Sequence, residues 1–432
     1  MKDFQPKSIF FYIFIGLSIN SIFNSLAFAL GLQYPVTTFL FHPGDLFADF
    51  FKVIFSFPHE SPPPTNQGKF NDLLQQYLSA NNPYGGVHAL KSGNLTNFHL
   101  TPLSALFSII SAKLMAFISP LNYYALILLL ILAAIFYTFK SLKYSCFNLF
   151  IIISAFLLSY PFLFAVTRGN VYSIIAGIAV INFLILSYKY DSEKSILKLF
   201  LLALAINIRP NLIIFIFALL INDGKKIINK SLIFDTGIFL LFSAVIFAIS
   251  LFLANILYTD YSLSNFLAGL KIYHSIYVVG DGGLAFGSSL FGALKAAFNF
   301  NPYLEVASAL FCLALFLSFT FLYLKRRLDK ILYVFTLCGV YILGSPVVAD
   351  YHLLVFFAPL VLIHLENKLN NDLSTKRKII FFTSILMLIP KNIFFIDGMS
   401  LQVIFNPLIL LISLFAIYFL KISRAYTKCI SH

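Results

Sequence analysis

Asp45 and Asp49 stand four apart in "FHPGDLFADFF" (41–51), among aromatic residues. On a helix, residues four apart are neighbours on one face. Two neighbouring carboxylates can act as a general base and the group that orients it, or can hold a divalent metal. A second acid beside a low-dielectric interface raises a carboxyl pKa towards a working pH. The plainer alternative makes Asp45 the cap of a helix that carries Asp49. Arg168 in "VTRGNVY" (166–172) and Arg209 in "NIRPNL" (207–212) each sit between long apolar runs, and Pro210 predicts a helix end there. Two arginines at one level can grip a phosphate, because the guanidinium fork matches phosphate oxygens. Otherwise both snorkel to lipid headgroups. Arg209 is the one charge between Leu199 and Asn222.

Two further stretches carry chemistry. "LGSPVVADYHLLV" (343–355) holds Asp350, Tyr351 and His352. An Asp and a His two apart do not share a helix face, but they can line one cavity in a turn. "VVGDGGLAFGSSLFG" (278–292), with Asp281, is rich in Gly and Ser. It lacks the preceding strand and the GxxxxGK[ST] spacing of a nucleotide loop. It either wraps a sugar or diphosphate with backbone N–H groups or is a plain connecting loop.

The elements that must position these residues follow from composition. The 432 residues are 60% hydrophobic, 17% aromatic and 11% charged, which excludes an ordinary soluble domain. Apolar runs of about 18 residues or more read as membrane-crossing helices. They come in blocks, which disfavours a β-barrel. The expectation is an all-α polytopic membrane protein with about 12 transmembrane helices. The first is "SIFFYIFIGLSINSIFNSLAFAL" (8–30). Although "AFA" (27–29) looks like a signal-peptidase site, the apolar run is too long for a signal peptide, so an uncleaved helix is expected. The others are 121–139, 146–166, 171–188, 196–208, 211–222, 231–258, 303–324, 331–347, 352–366, 378–396 and 401–420. Two long outer segments remain, 31–120 and 259–302. Within the first, the apolar stretch 98–117 carries Pro102 and Lys113 and is read as a helix lying on or dipping into the outer leaflet.

A net charge of +13 invites a nucleic-acid partner, but the basic residues cluster in short loops between apolar runs. That is the pattern of membrane orientation. Nucleic acid is therefore not expected, and membrane lipids are. With the N-terminus inside, Asp45, Asp49, Arg168, Arg209, Asp260, His274, Asp281, Asp350, His352 and Asp397 all map to outer helix ends or outer loops. Ionisable groups in such places are costly unless they face water or one another. Each could still be an interfacial cap. The four cysteines lack metal-ligand spacing, so neither a zinc site nor a disulfide is expected.

The order of short motifs adds a resemblance. The acidic segment 41–51 is followed by "NPYGG" (82–86), "FHLTPLSALF" (98–107), "TRGNVYSIIAG" (167–177), "ALAINIRPNLIIF" (203–215) and "SPVVADYHLLVFFAPL" (345–360). In that order they resemble the GT-C type integral membrane glycosyltransferases, and most of all glycosyltransferase family 87, the polyprenyl-phosphate-sugar-dependent mannosyltransferase-like group. Thr101-Pro102 stands where the family usually has Pro-Pro, and Phe where it often has Tyr. The resemblance implies transfer of a hexose, mannose-like, from a polyprenyl-phosphate-linked donor to a lipid or glycan acceptor at the outer face of the cytoplasmic membrane. It implies an acid base in the first outer loop, Asp49 or Asp45, with Asp49 preferred. It implies donor-phosphate binding by Arg168, Arg209 and His352, and substrate binding by Asn170, Tyr84, Asp281, Asp350 and Tyr351. It implies no cofactor beyond the lipid donor, and does not indicate a metal. The rival readings are a polytopic transporter or lipid flippase, and a polymerase or ligase of the O-antigen type using a lipid-diphosphate donor.

Overall fold

The computed structural model describes residues 100–118, 120–140, 146–167, 171–189, 195–221, 230–257, 261–280, 287–367, 374–389, 395–396, 399–400 and 402–430. These are mostly helical. In chain order they form α1 (Pro102–Ile118), α2 (Pro120–Lys140), α3 (Cys146–Leu157), α4 (Tyr160–Thr167), α5 (Val171–Lys189) and α6 (Ser195–Ile208), then a 3-10 helix, Pro210–Ile221. Next come α7 (Lys230–Leu257), α8 (Leu263–Tyr273), a π-helical turn (His274–Val279), α9 (Leu290–Phe298), α10 (Pro302–Leu324) and α11 (Lys330–Gly344). A second 3-10 helix (Asp350–Phe356) leads into α12 (Phe357–Asn367), α13 (Thr375–Leu388) and α14 (Gln402–Ile430). Between the last two, Phe395–Ile396 pairs antiparallel with Met399–Ser400.

Local signals set the helix ends. Ser262, Ser289 and Asp329 cap α8, α9 and α11, each accepting a bond from the backbone N–H three residues on. Asn301 caps α10 by accepting from Tyr303 N, with Pro302 in the first turn.

Among the described residues, three helices are long and apolar enough to cross a membrane: Leu232–Leu257, Pro302–Leu324 and Gln402–Leu420. Along α7, Ile233, Phe234, Leu240, Leu241, Phe252 and Ile256 are exposed. A helix facing water would carry polar residues there. The reverse pattern holds for α11. Every residue from Ile331 to Leu343 is buried, so it is apolar all round and sits inside the bundle. Around it pack α9, α10, α12, α13, α14 and both 3-10 helices. On the other side of the bundle α6 lies between α5 and α7. An ion pair between buried Lys198 and half-buried Asp235, at 3.4 Å, ties the start of α6 to α7. Near the other end of α6, Asn207 Nδ2 donates to Ser243 O at 3.2 Å.

Several expected spans differ in form. The run 146–166 is two helices, broken where Ser159 Oγ donates to Phe156 O at 2.6 Å and where Pro161 opens the next turn. The run 211–222 is wound as a 3-10 helix starting at Pro210, and 352–366 begins with one, up to Phe356. The run 378–396 stops as a helix at Leu388, just before Pro390. The stretch 98–117 is helical from Pro102 and packs against α7, α2 and α6.

Close packing around α11 makes a prediction. A Cβ at Gly339 would stand 3.3 Å from Leu414 Cδ1 of α14. Gly339→Val should therefore destabilise the detergent-solubilised protein by about 1–3 kcal/mol through overpacking. Gly237→Ala on α7, where nothing lies within 4 Å, should leave the thermal midpoint unchanged or raise it.

Candidate functional site

Pro210 ends α6 and leaves Arg209 at the junction with the first 3-10 helix. Its backbone N–H still donates to Ala205 O at 2.8 Å, and its carbonyl accepts from Leu212 N at 3.0 Å, so the residue is held at both sides. The guanidinium reaches the start of α5. Nε and Nη2 donate to Ser173 Oγ at 3.2 and 2.7 Å. Nη2 also donates to Tyr351 Oη at 3.2 Å. The rings of Tyr172 and Tyr351 lie 5.1 and 5.6 Å from Cζ, in range for cation–π attraction. Protein surrounds the group, yet it keeps some accessible surface. Among the described residues no carboxylate pairs with it. A guanidinium carries five N–H donors and does not lose its proton. Nη1 therefore points two donors at no described protein group. A surrounded cation held by hydroxyls and ring faces is stabilised by an arriving anion, because buried charge is costly until paired.

Four separate stretches of chain meet at this point. From the first outer segment, Ser104 Oγ donates to Ile208 O at 3.1 Å, and Thr101 Oγ1 donates to Ser104 Oγ at 3.0 Å. The start of α1 is thus docked on the residue before Arg209. From α5 come Tyr172 and Ser173. Beyond Arg209, Asn211 Nδ2 donates to Ser345 Oγ at 3.3 Å, and Ser345 Oγ donates to Tyr341 O at 2.9 Å. The Oδ1 of Asn211 is buried without a hydrogen-bond partner among the described residues. From the last stretch, Tyr351 bonds Arg209, and His352 Nδ1 is hydrogen-bonded to Tyr341 Oη. Tyr273, at the end of α8, lies within electrostatic reach of Arg209. Burial pushes its phenol up to about 12, and the Arg209 charge pulls against that rise. Tyr261 Oη donates to Leu100 O at 2.9 Å, which joins the two outer segments to each other.

The chain has no significant match to any family model, curated protein or solved structure.

Of the residues singled out from sequence, Arg209, Tyr351 and His352 come together. Asp350 is in the same turn but has other company. It is fully buried, and its carboxylate accepts from Ser288 Oγ at 2.7 Å, Tyr160 Oη at 2.6 Å and Gln402 Nε2. These contacts form a buried polar node. His274 is exposed and lies 3.5 Å from Glu305. Asp45, Asp49, Tyr84, Arg168, Asn170, Asp260, Asp281 and Asp397 lie outside the described residues. The segment holding Arg168 and Asn170 leads directly into Tyr172 and Ser173. Ser173, Tyr172, Tyr341 and Tyr273 were not legible in advance. Tyr172 and Ser173 close the motif "TRGNVYS", which is the one signal that could have found them.

The geometry predicts that Ser173→Ala, which removes both of its bonds to the guanidinium, costs about 1–2 kcal/mol, as for hydrogen bonds to a charged group. Denaturation of the purified protein in detergent checks this. A midpoint equal to that of the unsubstituted protein would mean the guanidinium is not held there.

Proposed function

We propose that the protein is a multi-pass membrane glycosyltransferase of about 12 spans that moves a hexose from a polyprenyl-phosphate-linked donor to a lipid or glycan acceptor outside the cytoplasmic membrane. The observation that carries the reading is the meeting of four motif stretches, "FHLTPLSALF", "TRGNVYS", "NIRPNL" and "SPVVADYHLLV", around one Arg209 without a described carboxylate partner. A phosphate monoester leaving group needs such a cation.

The chemistry is a single displacement. The acceptor oxygen attacks the anomeric carbon, and Asp49, or Asp45 beside it, takes the acceptor's proton. The bond from the anomeric carbon to the phosphate oxygen breaks, and its electron pair leaves with the polyprenyl phosphate. The anomeric centre inverts. Arg209, with Arg168 and His352, neutralises the departing phosphate, so no general acid is needed. Tyr351, Asn170, Tyr84 and Asp281 line the approach of the sugar and acceptor. The exposed apolar flanks of the long helices leave the lipid donor free to enter from the bilayer.

In membranes supplied with a polyprenyl-phosphate hexose, Arg209→Ala should lower transfer by about 100-fold or more, the scale for losing a preorganised charge-stabilising donor. Asp49→Asn should lower it by about 100- to 10,000-fold, the scale of general-base catalysis. Full activity in Asp49→Asn removes that residue as base, and full activity in Arg209→Ala removes the reading itself. A diphosphate-linked donor preferred over the monophosphate would point instead to a polymerase or ligase.

A further inference from the structure

Asp350 forms the centre of a buried polar node that the transfer chemistry leaves unused. Tyr160 Oη donates to Oδ2 at 2.6 Å and itself accepts from Gln402 Nε2 at 2.9 Å. Ser288 Oγ donates to Oδ1 at 2.7 Å and accepts from Asn406 Nδ2 at 2.9 Å. Gln402 Nε2 also bonds Oδ2. The node therefore joins α4, α14 and the end of the second outer segment to the 350–356 turn. Ser288 N donates to Val348 O at 2.9 Å, and Ser289 Oγ donates to Pro346 O at 3.1 Å, which stitches that segment along the same turn.

The next residue connects the node to the site. Tyr160 and Phe164 are four apart on α4 and share a face. Asp350 is bonded to the first. The ring of Tyr351 stacks on the second, with centroids 5.9 Å apart and planes at 23°. The turn is thus docked on α4 at two points, one polar and one aromatic. From that docked position the Tyr351 hydroxyl accepts from Arg209 Nη2 at 3.2 Å. A bond of that length is lost if the turn slides by about an ångström along α4.

We infer that Asp350 is a positioning residue for the Arg209 site: it pins the turn to α4 so that Tyr351 stands beside the guanidinium, and it touches no ligand itself. The ligand in question rests on the phosphate reading of Arg209 given above. A carboxylate suits the task because it only accepts, and three donors among the described residues converge on it. An amide in its place would turn an N–H towards at least one of them.

The test measures binding of farnesyl phosphate to the purified full-length protein in lipid nanodiscs. Asp350→Asn should weaken binding about 10-fold, the equivalent of one charge-assisted hydrogen bond. Tyr160→Phe should weaken it in the same direction by less, and it carries the same comparison if Asp350→Asn fails to fold. Because Asp350 acts through Tyr351, the Asp350→Asn/Tyr351→Phe double variant should bind no worse than Tyr351→Phe alone, to within about twofold. Losses that multiply in the double variant would overturn the inference, as would unchanged binding by Asp350→Asn when Arg209→Ala binds weakly. If Arg209→Ala binds as well as the unsubstituted protein, the phosphate reading fails instead. Hydrogen exchange at the His352 amide, bonded to Ala349 O at 3.0 Å, then decides the anchor by itself. Asp350→Asn should speed that exchange, and an unchanged rate would overturn the anchor.

Discussion

A guanidinium surrounded by protein, with only neutral partners among the described residues, is the constraint around which this site is organised. Burying a charge is costly, and ring faces with two hydroxyl groups offset only part of that cost. Arg209 holds its place because α6 is stopped by Pro210, Ser173 fixes one edge of the fork and Tyr351 another. The other edge, Nη1, makes no hydrogen bond to a described residue. A phosphate arriving there would find a charge already oriented, so little reorganisation would be needed at the moment of reaction.

The rest of the architecture serves to bring distant chain segments to that point. α11 is wrapped on all sides and gives the bundle a rigid interior post. From it Tyr341 supports His352, and the turn beyond it is fastened by Asp350 to α4 and α14. The small apolar cluster of Ala105, Leu106 and Ile109 with Ala254, Tyr261 and Phe266 seats α1 and α8 together against α7. The start of α1 and the end of α8 thereby border the junction at Arg209.

The helices were largely readable because their apolar blocks have the length a bilayer demands. The runs predicted at 171–188, 231–258 and 303–324 end within a residue or so of α5, α7 and α10. What hydropathy could not show was winding: a 3-10 helix and an α-helix with the same side chains look alike in a sequence, as over 210–221. The break at Ser159 was hidden for a related reason, since one serine and one proline barely disturb an apolar average. Arg209 was conspicuous as a single charge in a long neutral stretch. Its pairing was not, because the chain holds 23 tyrosines and nothing local couples Tyr172 or Tyr351 to Arg209. Asp350 shows the limit most clearly. A carboxylate beside a histidine invites a role on substrate, and only the tertiary partners Tyr160, Ser288 and Gln402 reveal that it is spent on support.

The most direct check is an electron cryo-microscopy structure in nanodiscs containing a polyprenyl phosphate. The account requires the phosphate to sit against Nη1 of Arg209, within hydrogen-bond distance, with Tyr351 and His352 beside it. A phosphate bound elsewhere, or a carboxylate of the chain already paired with Nη1, would contradict it.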